Sequence, residues 1–129
     1  MDILLDTHVL WWFLNGNDKM PDPVKETILN LENTIYVSIA SVWEVVIKMS
    51  IGKLNFDDGV DGLIDAIENE DFLLLDMIPK HIKTVKELPF IHRDPFDRML
   101  AAQAIVEELP IMTTDSNMIK YAINPIWAT

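Results

Sequence analysis

Short apolar runs alternate with longer amphipathic stretches along the whole chain. Residues 2–5 (DILL) and 35–38 (IYVS) are compact runs rich in apolar and branched side chains, and residues 72–75 (FLLL) and 110–113 (PIMT) share that character. Runs of this length predict buried strands, with residues 126–127 of the tail as a further edge strand. The intervening stretches have helical length: residues 7–14, 23–31, 39–51, 60–70, 80–88, 95–109 and 117–123. Within 39–51 the apolar positions 39, 42, 43, 46, 47 and 51 recur at helical spacing, and Gly52 follows as a natural stop. Proline opens the first turn of 23–31. Strands that alternate with helices, each strand apolar on both faces, predict an α/β sandwich around a mostly parallel sheet. No repeat, low-complexity tract or linker interrupts the pattern, so residues 1–129 are expected to form a single domain.

Composition adds exclusions. Hydrophobic residues make up 50% of the chain and charged residues 24%, enough apolar matter for a buried core. No apolar run approaches the roughly 18 to 20 residues of a membrane span. The start MDILLDTH lacks the cationic and apolar regions of a signal peptide, so a soluble cytoplasmic protein without a membrane partner is expected. The absence of cysteine excludes disulfides, zinc–thiolate sites and a thiol nucleophile.

The net charge of −11 argues at first against a nucleic-acid partner, because phosphate binding draws on Lys and Arg. The excess is local, however. Eight acids lie between Asp57 and Asp76, and no Lys or Arg occurs from Leu54 to Pro79. The other 13 acids face 10 bases. The acidic stretch is expected to be the solvated face of one amphipathic helix, which leaves the rest of the surface open to RNA or DNA.

Several acids fall where an open parallel sheet gathers its ligands, at the carboxyl ends of strands. Asp6 follows ILL, Asp115 follows IMTT, and Glu44 lies one to two turns into the helix after IYVS. Asp94 and Asp97 stand at the start of the helix preceding PIMT, three residues apart on neighbouring helical faces. Carboxylates buried together need a cation or must protonate, and an all-oxygen donor set favours Mg²⁺ or Mn²⁺. Each acid also has a plainer role. Asp6, Asp94 and Asp115 are placed to cap helices, and Glu44, set among Val42, Trp43, Val45, Val46 and Ile47, can pair with Lys48 at i+4.

Four strings, LLDTHVLWW, VSIASVWEVVIKMSIGKL, HRDPFDRMLAAQA and IMTTD, resemble the PIN-domain nucleases, and specifically the VapC-type toxins of toxin–antitoxin pairs. The resemblance runs over nearly the whole chain in the family's order. It implies a three-layer α/β/α sandwich and an acidic quartet at Asp6, Glu44, Asp97 and Asp115, none of which is missing. Asp94 belongs to the HRDPFDR variant of the third motif, and the family's hydroxyl before the last acid falls on Thr113. The implied reaction is metal-dependent hydrolysis of RNA, tRNA among the candidate substrates. In that reading Asp6, Asp97 and Asp115 ligate Mg²⁺ or Mn²⁺, and Glu44 orients or deprotonates the attacking water. Thr7, Asp94, Arg98 and Thr113 are supporting residues. The resemblance further implies a homodimer and a VapB-like antitoxin whose C-terminal segment crosses the groove with a cationic side chain toward the acids.

Around that site, Arg93, Arg98, Lys48 and Lys53 are either phosphate contacts or solvated charges, and Arg98 is alternatively an ion-pair partner of Asp97. Trp11 and Trp12 fit core packing better than base stacking. His8 and His92 adjoin the acidic motifs but are not counted as ligands, because the oxygen set already suits a hard cation. Two rivals remain. A non-catalytic PIN scaffold is disfavoured by the intact quartet. Aspartyl phosphoryl transfer is disfavoured by His8, which stands where haloacid-dehalogenase-like phosphatases carry a second Asp, and by the absence of a Lys after PIMTTD.

Overall fold

The run DILL forms β1 (Asp2–Leu5), and its Ile3, Leu4 and Leu5 are fully buried in the computed structural model, which describes residues 1–127. With β2 (Thr34–Ser38), β3 (Leu73–Leu75), β4 (Ile111–Met112) and β5 (Pro125–Ile126) it makes an all-parallel sheet in the order β3-β2-β1-β4-β5. The chain steps outward from β1 to β3 and then crosses back to place β4 on the other side of β1. The strand order therefore reverses between β1 and β4, where open α/β sheets hold their ligands.

The helices are α1 (Thr7–Leu14), α2 (Asp22–Leu29), α3 (Ile39–Ser50), α4 (Gly59–Asn69), α5 (Pro79–Glu87) and α6 (Pro95–Val106). Because side chains alternate along a strand, Ile3 and Leu5 enter one core with Val9, Leu10 and Phe13 of α1, Val24 and Ile28 of α2, and Leu63 and Ile67 of α4. Leu4 points the other way, into a core with Leu100, Ala101 and Ala104 of α6. The architecture is the three-layer α/β/α sandwich. All eight acids between Asp57 and Asp76 are exposed, but only Asp61, Asp65 and Glu68 lie on α4, whose Leu63 and Ile67 are buried as an amphipathic helix requires. Asp57, Asp58, Glu70 and Asp71 flank it, and Asp76 follows β3, so the acidic stretch is more than one helix face.

Local capping starts the helices that matter for the site. Asp6 accepts from the Thr7 N–H at 2.7 Å, Ser38 from the Ala40 N–H at 3.0 Å, and Asp94 from the Phe96 N–H at 2.8 Å ahead of Pro95. Gly52, at φ 77°, follows α3 as expected.

Three expectations need correction. β3 is an edge strand, so Leu73 and Leu74 stay 48% and 44% exposed instead of being buried on both faces. The helix expected over 95–109 ends at Val106, because Glu108 turns into left-handed backbone at φ 54°. The helix expected over 117–123 shrinks to a single 3₁₀ turn, Met118–Lys120. Asn124 must reach back to accept from the Ile111 N–H at 3.0 Å, and Pro125 pairs with Ile111, which leaves too little chain for a helix. No helix among the described residues is long and apolar enough to cross a membrane.

Candidate active site

A cleft of about 260 Å³ opens at the carboxyl ends of β1 and β4, and Asp6, Thr7, Glu44, Asp94, Asp97 and Asp115 are all in its wall. Asp6, immediately after β1, is 1% exposed. One of its carboxylate oxygens caps α1, and the other accepts from Thr113 Oγ1 at 2.6 Å. Thr113 in turn accepts from the Asp115 N–H at 3.0 Å, so one hydroxyl ties the ends of β1 and β4 together. Thr7 donates to Ser41 Oγ at 2.9 Å and holds α1 against α3. Glu44 enters from α3, 6% exposed, with Oε2 on Lys48 Nζ at 2.9 Å. Asp97 projects from the first turn of α6, and Asp94 both caps that helix and borders the cleft. Seven of the eight sequence-predicted residues thus converge.

Arg98 does not. It is buried, and its guanidinium donates to the carbonyls of Val85 at 2.9 Å and Pro89 at 3.1 Å, and lies 4.9 Å from the centre of the Phe90 ring. Consecutive helical residues point about 100° apart, so with Asp97 facing the cleft, Arg98 faces the end of α5. It is a structural clamp, neither a phosphate contact nor a partner of Asp97. Arg98→Lys is expected to lower unfolding stability by about 2 kcal/mol, since an ammonium cannot satisfy both carbonyls in fork geometry. Urea denaturation measures this, and turnover per folded molecule should remain within about twofold of wild type.

His92 joins the cluster, although spacing alone passed it over. Its Nδ1 accepts from the Asp94 N–H at 3.2 Å, which leaves the proton on Nε2. That Nε2 lies 2.9 Å from Asp115 and 3.1 Å from Asp97. His92, Asp97 and Asp115 each offer a ligand atom within 4.8 Å of the others. Its position five residues before Asp97, in HRDPFDR, was the available signal. His8 stands at the other wall, with Nε2 2.9 Å from Thr114 Oγ1 and Nδ1 3.5 Å from Asp6. Trp11 and Trp12 pack against the core beside Phe56 and Trp127, as expected.

The electrostatics report a shortage of positive charge. Burial, reinforced by the charges of Asp6, Asp94 and Glu44, pushes Asp97 up to about 8 despite the opposing pull of His92. Burial also raises Asp6 against the pull of His8 and the Thr113 hydrogen bond. Burial pushes Asp115 upward too, but the His92 hydrogen bond and the Asn117 and Met118 N–H groups outweigh it and hold Asp115 below the ordinary carboxylate range. Burial works against His92's charge, yet its bond to Asp115 and the charges of Asp97 and Asp94 raise it above its ordinary value. The bond to Glu44 raises Lys48. Glu44 Oε1 is the one buried side-chain oxygen among the described residues without a hydrogen-bond partner. A proton retained on Asp97 and an orphaned carboxylate oxygen in an oxygen-rich cleft both fit a hard divalent cation.

Similarity to known proteins agrees with the fold. The VapBC2 complex of Rickettsia felis, solved bound to a promoter DNA fragment, superposes with a TM-score of 0.76 at 17% identity, over 98% of this chain and 98% of that one. DNA-bound VapBC from Salmonella typhimurium gives 0.69 at 16% identity, covering 98% and 97% of the two chains. FitAcB from Neisseria gonorrhoeae gives 0.66 at 18% identity, covering 96% of each. No curated protein sequence matches the chain. The PIN domain family model matches residues 3–124, nearly the full length of the sandwich, and the chain therefore belongs to the PIN domain family.

Proposed function

We propose that the protein is a divalent-metal-dependent ribonuclease of the VapC toxin type, acting on cytoplasmic RNA and held inactive by a VapB-like antitoxin. The observation that carries this reading is the convergence of Asp6, Glu44, Asp97 and Asp115 at the strand-order reversal, with negative charge that the protein's own cations leave unmet. Membership of a family of nucleases supports hydrolysis of a phosphodiester. The VapBC complexes among the structural neighbours support an antitoxin as partner.

In this reading Asp6, Asp97 and Asp115 hold Mg²⁺ or Mn²⁺. Held there, a divalent cation would supply Lewis acidity for phosphodiester hydrolysis. Thr113 fixes the rotamer of Asp6 from behind, and Asp94 sets the start of α6 and with it the direction of Asp97. Glu44 has one oxygen held by Lys48 and the other free to accept a proton from water, the arrangement a general base needs. The exposed acids of α4 lie on the opposite, solvated face of that helix and keep RNA from that side.

The test is hydrolysis of a tRNA pool by purified protein with Mn²⁺ and with EDTA. Cleavage that disappears in EDTA is expected, together with growth arrest on expression that the antitoxin relieves. Metal-independent cleavage, or no cleavage with Mn²⁺, overturns the reading. A homodimer is the proposed solution state, and light scattering that returns a mass near 14.8 kDa would contradict it.

A further inference from the structure

Beside the acid cleft lies a second, open groove of about 390 Å³ that shares Glu44, Lys48 and Asp94 with it. Its floor is apolar, made by Ile47 of α3, by Ile51 just after that helix, and by Pro95 and Phe96 at the start of α6. At the groove's edge Phe96 meets Trp43, which lies outside the lining, in a T-shaped contact with ring centres 5.2 Å apart, and Trp43 remains 54% exposed. At its rim stand Lys53 and Arg93, both exposed and in no ion pair among the described residues. A chain of net charge −11 thus keeps two unpaired cations around an exposed Trp43 and a half-buried Phe96, directly next to its acids.

We infer that this groove is a subsite for single-stranded RNA, in which a base neighbouring the scissile phosphate stacks on the Trp43–Phe96 pair while Lys53 and Arg93 contact the phosphates on either side. The inference rests on the ribonuclease reading of the acid cleft and deepens it by naming where the substrate is gripped. An apolar, aromatic floor with a cationic rim matches the two faces of an unpaired nucleotide, a flat base and a charged phosphate. A duplex cannot use it, because its bases are already stacked on one another. A second copy of the chain would bring no phosphate to Lys53 and Arg93, and it is the alternative occupant that the oligomeric state of the variant separates.

The test measures binding of a short single-stranded RNA of mixed sequence, in an Asp97→Asn background that stops cleavage, beside steady-state cleavage by the otherwise wild-type chain. Trp43→Ala should weaken single-strand binding about tenfold and raise KM with kcat within about twofold, while Trp43→Phe retains most of the affinity. Binding of a duplex RNA should not change. Changing Lys53 and Arg93 together to Gln should flatten the salt dependence of binding by about 1.4 in log–log slope, two phosphates' worth. If wild type cleaves RNA but Trp43→Ala leaves single-strand affinity unchanged, the subsite is wrong and the nuclease reading stands. If Trp43→Ala instead converts a dimer to a monomer at unchanged RNA affinity, the groove is a contact between copies and the inference is overturned. If wild type neither binds nor cleaves RNA, the nuclease reading fails and takes the subsite with it.

Discussion

Glu44→Gln is expected to lower kcat for RNA hydrolysis by about 10²- to 10⁴-fold, the range for loss of a positioned general base. The substitution keeps the shape of the side chain and can still accept a hydrogen bond from Lys48, so neither folding nor RNA affinity should change much. What it removes is the carboxylate whose Oε1 is buried without a partner at the cleft. The plainer role for Glu44 is as the i+4 partner of Lys48, and that pair is present at 2.9 Å. The two roles separate cleanly. If the ion pair were all that mattered, Lys48→Met would slow the reaction as much as Glu44→Gln. A base at Glu44 instead predicts a far smaller effect for Lys48→Met. Rates of the two variants at saturating RNA and Mn²⁺ decide the matter, and equal small losses would remove Glu44 from the mechanism.

Metal-free protein is expected to lose stability as pH rises from about 4 to about 8, and saturating Mn²⁺ to restore it. Asp97 carries the effect. Its ordinary value is 3.8 and its folded value about 8, so within that window the folded state holds a proton that the unfolded state has released. Each pH unit then removes up to about 1.4 kcal/mol, and the contribution is complete below the lower value and gone above the upper. Asp6, also raised, acts in the same direction. His92, raised above 6.5, contributes below that value and loses its contribution as pH climbs through its folded value, which adds to the fall. Asp115 is lowered, so its contribution fades only as pH drops through a value below 3.8, outside the window. Thermal denaturation in EDTA from pH 5 to 8 should therefore show a falling midpoint. Asp97→Asn, neutral throughout, should flatten the profile and weaken Mn²⁺ binding in calorimetry. A level wild-type profile, or equal Mn²⁺ affinity in the variant, would show that the acids neither repel one another nor share an ion.

How far the chain could be read from its sequence depended on whether a feature is local. Asp6, Ser38 and Asp94 cap the helices that follow them, and the signal for each lies within four residues, because a cap bonds its own helix's first N–H groups. Leu63 and Ile67 against Asp61 and Asp65 announce the solvated face of α4, since helical period alone separates them. The convergence of the acids was legible because strand-end position fixes direction, and a parallel sheet points all its carboxyl ends one way.

Only the tertiary structure decided the rest. Nothing in FLLL distinguishes an edge strand from a central one, since strand order is set by helices packing on both faces and not by the strand. Arg98 and Asp97 are adjacent in sequence, yet one clamps α5 and the other lines the cleft, and which way each points depends on where α6 meets its neighbours. His92 bridges Asp97 and Asp115 because the segment before α6 folds back over the end of β4, where Tyr121 accepts from the His92 N–H at 2.8 Å. Periodicity records which face of its own element a side chain takes. Which other element that face meets follows from the packing of the whole chain, and the cleft's charge balance exists only after that packing is complete.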